Sequence, residues 1–216
     1  FILQQEQVHV WKAIVPQFNS STNQFLTLLS NDEKERAAKF RFKKDSVTYV
    51  VGKGLLRTLL EKYLNCTPSS IQFKYNEQSK PFFPNALDLQ FNVSHSHEAI
   101  VFAFVLKHDI GVDVEYNKRV VEVPQIAKRF FSENETNTLL QLPESEWLST
   151  FYNCWTRKEA FIKAKGGGLS IPLDQFEVSL TPDSKPELKH IEWDRKDVEN
   201  WKMKTFCDTE YTGAII

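Results

Sequence analysis

Ala99-Ile100-Val101-Phe102-Ala103-Phe104-Val105-Leu106, the turn Lys107-His108-Asp109 and then Gly111-Val112-Asp113-Val114-Glu115 form the stretch that decides the fold. The first eight residues are an unbroken apolar run. It is far too short to cross a bilayer and reads as a buried strand. After the turn, Val112 and Val114 alternate with Asp113 and Glu115, so a period of two puts both acids on one face of the next strand. Further strands are expected over 71–75 and 89–93. Helices are expected over 30–44, over 46–64 with Val47, Val50, Val51, Leu55, Leu59 and Tyr63 as its apolar stripe, and near 125–130. A longer helix is expected from about 145 to 165, capped by Ser145 and stopped by Gly166-Gly167-Gly168. Mixed helices and strands in this order make an α+β chain.

A chain of 216 residues holds one large domain or two small ones, and 41% hydrophobic residues exclude a disordered one. The net charge of −1 gives no field pointing to nucleic acid or an anionic membrane, so any basic function is local. No signal peptide is read at Phe1, and the lack of an initiator Met fits a trimmed start. Cys66, Cys154 and Cys207 are odd in number, far apart and without CxxC spacing. They read as buried free thiols in a reducing cytoplasm, not as a zinc site or disulfide framework.

The second half echoes the first. Ser30-Asn31-Asp32-Glu33 has a counterpart in Ser132-Glu133-Asn134-Glu135. Gln72-Phe73 followed by Ser79-Lys80-Pro81 is mirrored by Gln175-Phe176 followed by Ser184-Lys185-Pro186. The repeat implies two similar α/β halves, residues 1–110 and 111–216, with a site in the cleft between them.

Three constellations carry candidate chemistry. On the helix over 145–165, Leu148, Tyr152, Trp155 and Ile162 form a core-facing stripe in which Glu159 takes a vacant slot. A buried carboxylate must be neutralised, hydrogen-bonded or metal-bound; the bland alternative is a surface Glu159–Lys163 pair at i, i+4. Asp113 and Glu115 on their strand are either edge-protecting acids or ligands for a cation such as magnesium. Phe91-Asn92-Val93-Ser94-His95-Ser96-His97 can present hydroxyl, amide and imidazole to a phosphate, or can be a plain turn. A Ser–His hydrolase competes, but the Gly-x-Ser-x-Gly elbow is absent. Together, three carboxylates and the Lys163 ammonium suggest a divalent-metal site that handles phosphate. Lys34, Arg36, Lys39, Arg41, Lys43 and Lys44, interrupted by Phe40 and Phe42, are either a charged helix face or an anchor for a phosphorylated ligand.

The ordered set Lys80-Pro81, Phe91-Asn92-Val93-Ser94-His95-Ser96, Gly111-Val112-Asp113-Val114-Glu115 and Trp155-Thr156-Arg157-Lys158-Glu159-Ala160-Phe161-Ile162-Lys163 closely resembles the 4′-phosphopantetheinyl transferases. Within them it looks like the surfactin-synthetase-activating type, a monomer of two pseudo-symmetric halves. The resemblance implies transfer of 4′-phosphopantetheine from coenzyme A to a serine of an acyl or peptidyl carrier protein, releasing adenosine 3′,5′-bisphosphate. It implies magnesium, or manganese, on Asp113, Glu115 and Glu159, with Glu159 and Lys163 catalytic. It further implies that Arg36, Lys80, Ser94, His95, Asp113 and Lys163 hold coenzyme A. That family has Gly where Ser79 stands here. A coenzyme A-binding protein without transferase activity and a magnesium-dependent phosphohydrolase are the rival readings.

Overall fold

The computed structural model describes residues 1–78, 80–83, 88–181 and 183–216, which leaves Ser79 outside the described residues. Among them, short 3-10 turns aside, eight elements are laid down and then repeated in the same order. The first set is β1 (His9–Ile14), α1 (Thr22–Leu28), α2 (Asn31–Ala38), α3 (Lys43–Leu64), β2 (Lys74–Tyr75), β3 (Pro81–Phe82), β4 (Leu89–Ser96) and β5 (Ala99–Leu106). The second set is β6 (Val112–Tyr116), α4 (Val123–Phe130), α5 (Glu133–Gln141), α6 (Glu144–Lys165), β7 (Phe176–Val178), β8 (Leu188–Ile191), β9 (Lys204–Cys207) and β10 (Tyr211–Ile215). The sheets repeat as well: β1-β5-β4 answers β6-β10-β9, and the hairpin β2-β3 answers β7-β8, all antiparallel.

The short sequence echoes are the residues that build this repeat. Ser30 and Ser132 each open a helix with a capping box, Ser30 with Glu33 and Ser132 with Glu135. Each glutamate is buried and meets a cation from the long helix that follows, Arg57 at 2.8 Å and Lys158 at 2.7 Å. Arg57 also donates to the carbonyls of Pro68 and Ile71, and Lys158 to those of Leu173 and Phe176. The phenylalanines of the two Gln-Phe pairs lie under these cations, Phe73 at 5.2 Å and Phe176 at 4.4 Å. Removing one partner of such a pair leaves a buried charge uncompensated, at a cost of about 3–5 kcal/mol.

The halves stack as helix, sheet, sheet, helix. Val50, Val51, Leu56 and Leu60 of α3 pack with Phe91, Ile100, Phe102 and Phe104 on one face of the first sheet. Its other face offers Ala99, Val101, Ala103 and Val105 to Val112, Val114 and Tyr211 of the second sheet. The opposite face of that sheet, including Ala214, joins the core around α6. Gly111 permits this last approach, because a Cβ there would stand 1.9 Å from the Ala160 carbonyl oxygen. No described helix is long and apolar enough to cross a membrane.

Several expectations need correction. The helix expected over 30–44 ends at Ala38, and the strand over 71–75 shrinks to Lys74–Tyr75, since its apolar residue Ile71 turns into the α3 core instead. Helix α6 starts after Pro143 without a side-chain cap, so Ser145 is not its cap. Its core face is no stripe: Cys154, Thr156, Arg157, Lys158, Ala160, Phe161 and Ile162 are all buried, because strands, α5 and the β7–β8 hairpin surround it. Gly166 is the left-handed C-cap, with φ 72°. Of the cysteines, Cys154 is buried, Cys66 half-buried and Cys207 exposed.

Candidate active site between the halves

Strand β6 is an edge strand, with β10 on one side only, so the amides on its other edge need partners. Strand β4 supplies them with side chains. Asn92 Oδ1 accepts from Val112 N at 2.9 Å, Ser94 Oγ from Val114 N at 3.3 Å and Ser96 Oγ from Tyr116 N at 3.1 Å. The constant offset of the three pairs means that β4 and β6 run parallel, in register, zipped by side-chain oxygens. Residues from both halves therefore meet along this seam.

The acids of β6 lie at that seam. Ser94 Oγ donates to Asp113 Oδ1 at 2.9 Å, and the Lys163 ammonium from α6 reaches both Asp113 Oδ1, at 2.5 Å, and Ser94 Oγ, at 3.0 Å. Asp113 is buried, and its second oxygen, Oδ2, has no hydrogen-bond partner among the described residues. Burial pushes the Asp113 carboxyl up, opposed by Lys163 and Ser94. Glu115 accepts from Ser96 Oγ at 2.7 Å; burial raises its pKa too. Glu159, half-buried on α6, is pushed up to about 7 by burial and then by the charge of Asp113. Lys163 opposes that rise and Glu115 adds to it.

The geometry decides several alternatives. No Glu159–Lys163 ion pair forms among the described residues, because the lysine spans to Asp113 on the facing strand instead. The three carboxylates share one electrostatic neighbourhood, although among the described residues no three acidic, His or Cys groups stand in a ready-made ligating arrangement. His95, next to Ser94, is exposed by surface area. Even so, the protein crowding its ring and then Lys163 lower its pKa, while Asp113 and Asp45 raise it. The Lys80 ammonium donates to the carbonyls of Lys163, Ala164 and Ile110 at 2.7, 3.3 and 3.2 Å. It thus clamps the C-terminal end of the helix that carries Glu159 and Lys163, where a cation also suits the helix dipole. Arg36 is exposed on α2, 5.6 Å from the Tyr49 ring centroid, and makes no contact with the Asp113 cluster. Asn92 and Ser96 were legible only as members of a motif. Their signal is the period-two spacing of Asn92, Ser94 and Ser96, which matches that of the β6 amides.

Comparison with known proteins finds matches in both halves of the chain. Residues 109–216 match the family model described as the 4′-phosphopantetheinyl transferase superfamily, and residues 10–106 match that described as 4′-phosphopantetheinyl transferase, N-terminal. The chain belongs to the 4′-phosphopantetheinyl transferase superfamily. It is 34% identical over 174 residues to 4′-phosphopantetheinyl transferase Sfp of Bacillus subtilis, covering 81% of this chain and 76% of that protein. A second Bacillus subtilis 4′-phosphopantetheinyl transferase is 37% identical over 89% of this chain and 84% of its own. The 4′-phosphopantetheinyl transferase HetI of Nostoc sp. is 33% identical over 85% of this chain and 78% of its own. Identity at this level over most of each chain bears out the transferase resemblance and the α+β fold that goes with it.

Proposed function

We propose that this transferase moves the 4′-phosphopantetheine of coenzyme A to a serine of an apo acyl or peptidyl carrier protein, in a magnesium-dependent reaction that releases adenosine 3′,5′-bisphosphate. The observation that carries the reading is the meeting of Ser94, Asp113 and Lys163 across the seam between the halves, with one Asp113 oxygen buried and unpartnered. That oxygen suits a divalent cation, which would satisfy it, and so does Glu159, lifted to about 7 by burial and then by the Asp113 charge, both of which a cation would offset. Asp113, Glu115 and Glu159 would hold it. Bound there, magnesium or manganese would supply neutralising charge to the pyrophosphate of coenzyme A.

The chain's own groups supply the rest. Lys163, positioned by Asp113 and Ser94, places a positive charge where the phosphates must lie, and charge stabilisation is the main device of phosphoryl transfer. Glu159 is placed to accept a proton from the attacking serine hydroxyl directly or through a water. His95 and Ser94 face the phosphate end of coenzyme A, and exposed Arg36 meets its outer part. Lys80 contributes by fixing α6. One chain supplies both sides of the seam, which supports a monomer. Three free cysteines support a cytoplasmic setting, and the net charge of −1 supports neither nucleic acid nor membrane as partner.

Intact mass of an apo carrier protein, incubated with the enzyme, coenzyme A and magnesium, tests the reading. A gain of one phosphopantetheine group on the serine is expected. Coenzyme A split with no gain on the carrier would indicate the phosphohydrolase instead, and coenzyme A bound but unchanged would indicate a non-catalytic binder.

A further inference from the structure

The two serines of the β4 zipper are not equivalent. Each accepts from a β6 amide and donates to the acid just before it: Ser94 bridges Val114 N and Asp113 Oδ1, and Ser96 bridges Tyr116 N and Glu115 Oε2. Asp113 has a second anchor, because Lys163 holds the same oxygen. For Glu115, Ser96 Oγ is the one hydrogen-bond donor among the described residues. Without it the longer glutamate side chain is free to turn among its rotamers.

We propose that Ser96 is the positioning residue that orients Glu115 for the divalent cation. The inference rests on the metal reading above. The serine hydroxyl has one proton and two lone pairs. Accepting from Tyr116 N fixes the oxygen, which leaves the proton for Glu115 Oε2 and the other carboxylate oxygen, Oε1, for the cation. The tight turn that joins β4 to β5 holds Ser96 in place: Ser96 pairs with Ala99 across it, with His97 at φ 54°. The site's geometry therefore depends on a residue that touches neither cation nor substrate. Groups that orient a metal ligand in this way typically matter by 10–100-fold in metal affinity.

The test is a Mn2+ titration of the coenzyme A-saturated protein, followed by EPR of the free ion with coenzyme A alone as blank. Ser96→Ala is expected to weaken Mn2+ binding about tenfold, leaving coenzyme A affinity near wild type; its metal-free thermal stability falls because Tyr116 N loses its acceptor, and by the same amount in a Glu115→Ala background. Ser96→Thr, which keeps the hydroxyl, should recover the affinity. In a Glu115→Ala background, Ser96→Ala should cost almost no further Mn2+ affinity, because both changes remove the same ligand. Wild-type Mn2+ affinity in Ser96→Ala would overturn the positioning role, as would an undiminished loss in the Glu115→Ala background. No Mn2+ binding by the wild type beyond the coenzyme A blank would overturn the metal reading, and this inference with it.

Discussion

The two halves have the same eight elements, capping boxes and buried acid–cation pairs, yet only the second sets Asp113, Glu115, Glu159 and Lys163 at the seam. One residue after the buried cation, α3 has Thr58, whose hydroxyl turns back to the Gly54 carbonyl, whereas α6 has Glu159. Four residues further on, Lys62 points to solvent while Lys163 crosses to Asp113. The first strands differ in the same way. Strand β1 lies at the rim of its sheet with Val10 and Trp11 exposed, whereas β6 lies against β4 with Asp113 buried. The halves thus share a scaffold but not its surroundings. The carboxylate–lysine cluster lies where the first strand of one copy is covered by a strand of the other.

The largest effects should be shared by both copies. Lys158→Met and Arg57→Met each strand a buried glutamate and should each cost about 3–5 kcal/mol in urea or thermal unfolding. A loss confined to one of them would break the equivalence of the scaffolds. Next comes a change that only the second half should register. Glu159→Gln should lower carrier labelling at least about 100-fold, roughly 2.7 kcal/mol, while Thr58→Ala leaves labelling near wild type. Near wild-type transfer by Glu159→Gln would remove this residue from the centre.

A pH series sharpens the contrast further. The Glu159 carboxyl is raised to about 7, so it is protonated below that pH in the fold, and a protonated carboxyl is a poor ligand. Metal affinity should therefore hold above pH 7 and fall about tenfold by pH 6 relative to its plateau. Glu159→Gln should flatten that fall. Without metal the sign reverses for stability: charging Glu159 as pH rises toward 7 opposes folding, so the metal-free chain should lose stability over that interval. The smallest effects test the caps. Ser30→Ala and Ser132→Ala should each cost about 1 kcal/mol of stability, with equal sizes in the two halves. A clear inequality would show that one box carries more than helix initiation; Ser132 is the candidate, since it also donates to Glu177 at 2.9 Å.

Much of this was determined by local sequence. The apolar run of β5, the alternation in β6, the two Ser-x-x-Glu boxes and the glycine after α6 act through neighbours a few residues away, and a periodicity or cap reads the same in any context. Asp113, Glu115, Glu159 and Lys163 stood out because their spacing places charge on faces that pack. Tertiary structure alone decided their partners. Lys163 chose Asp113 over Glu159, four residues away on its own helix, because β6 brings a buried carboxylate within 2.5 Å. Lys80, for which only the family resemblance implied a coenzyme A contact, donates to carbonyls at the end of α6, a partnership that nothing next to it in sequence announces. Ser96 gained its partners from a parallel strand about 20 residues away that presents an amide and a carboxylate together. A side chain's chemistry is written in its type and its local pattern; which group satisfies it depends on which surfaces the fold presses together, and those contacts lie far apart along the chain.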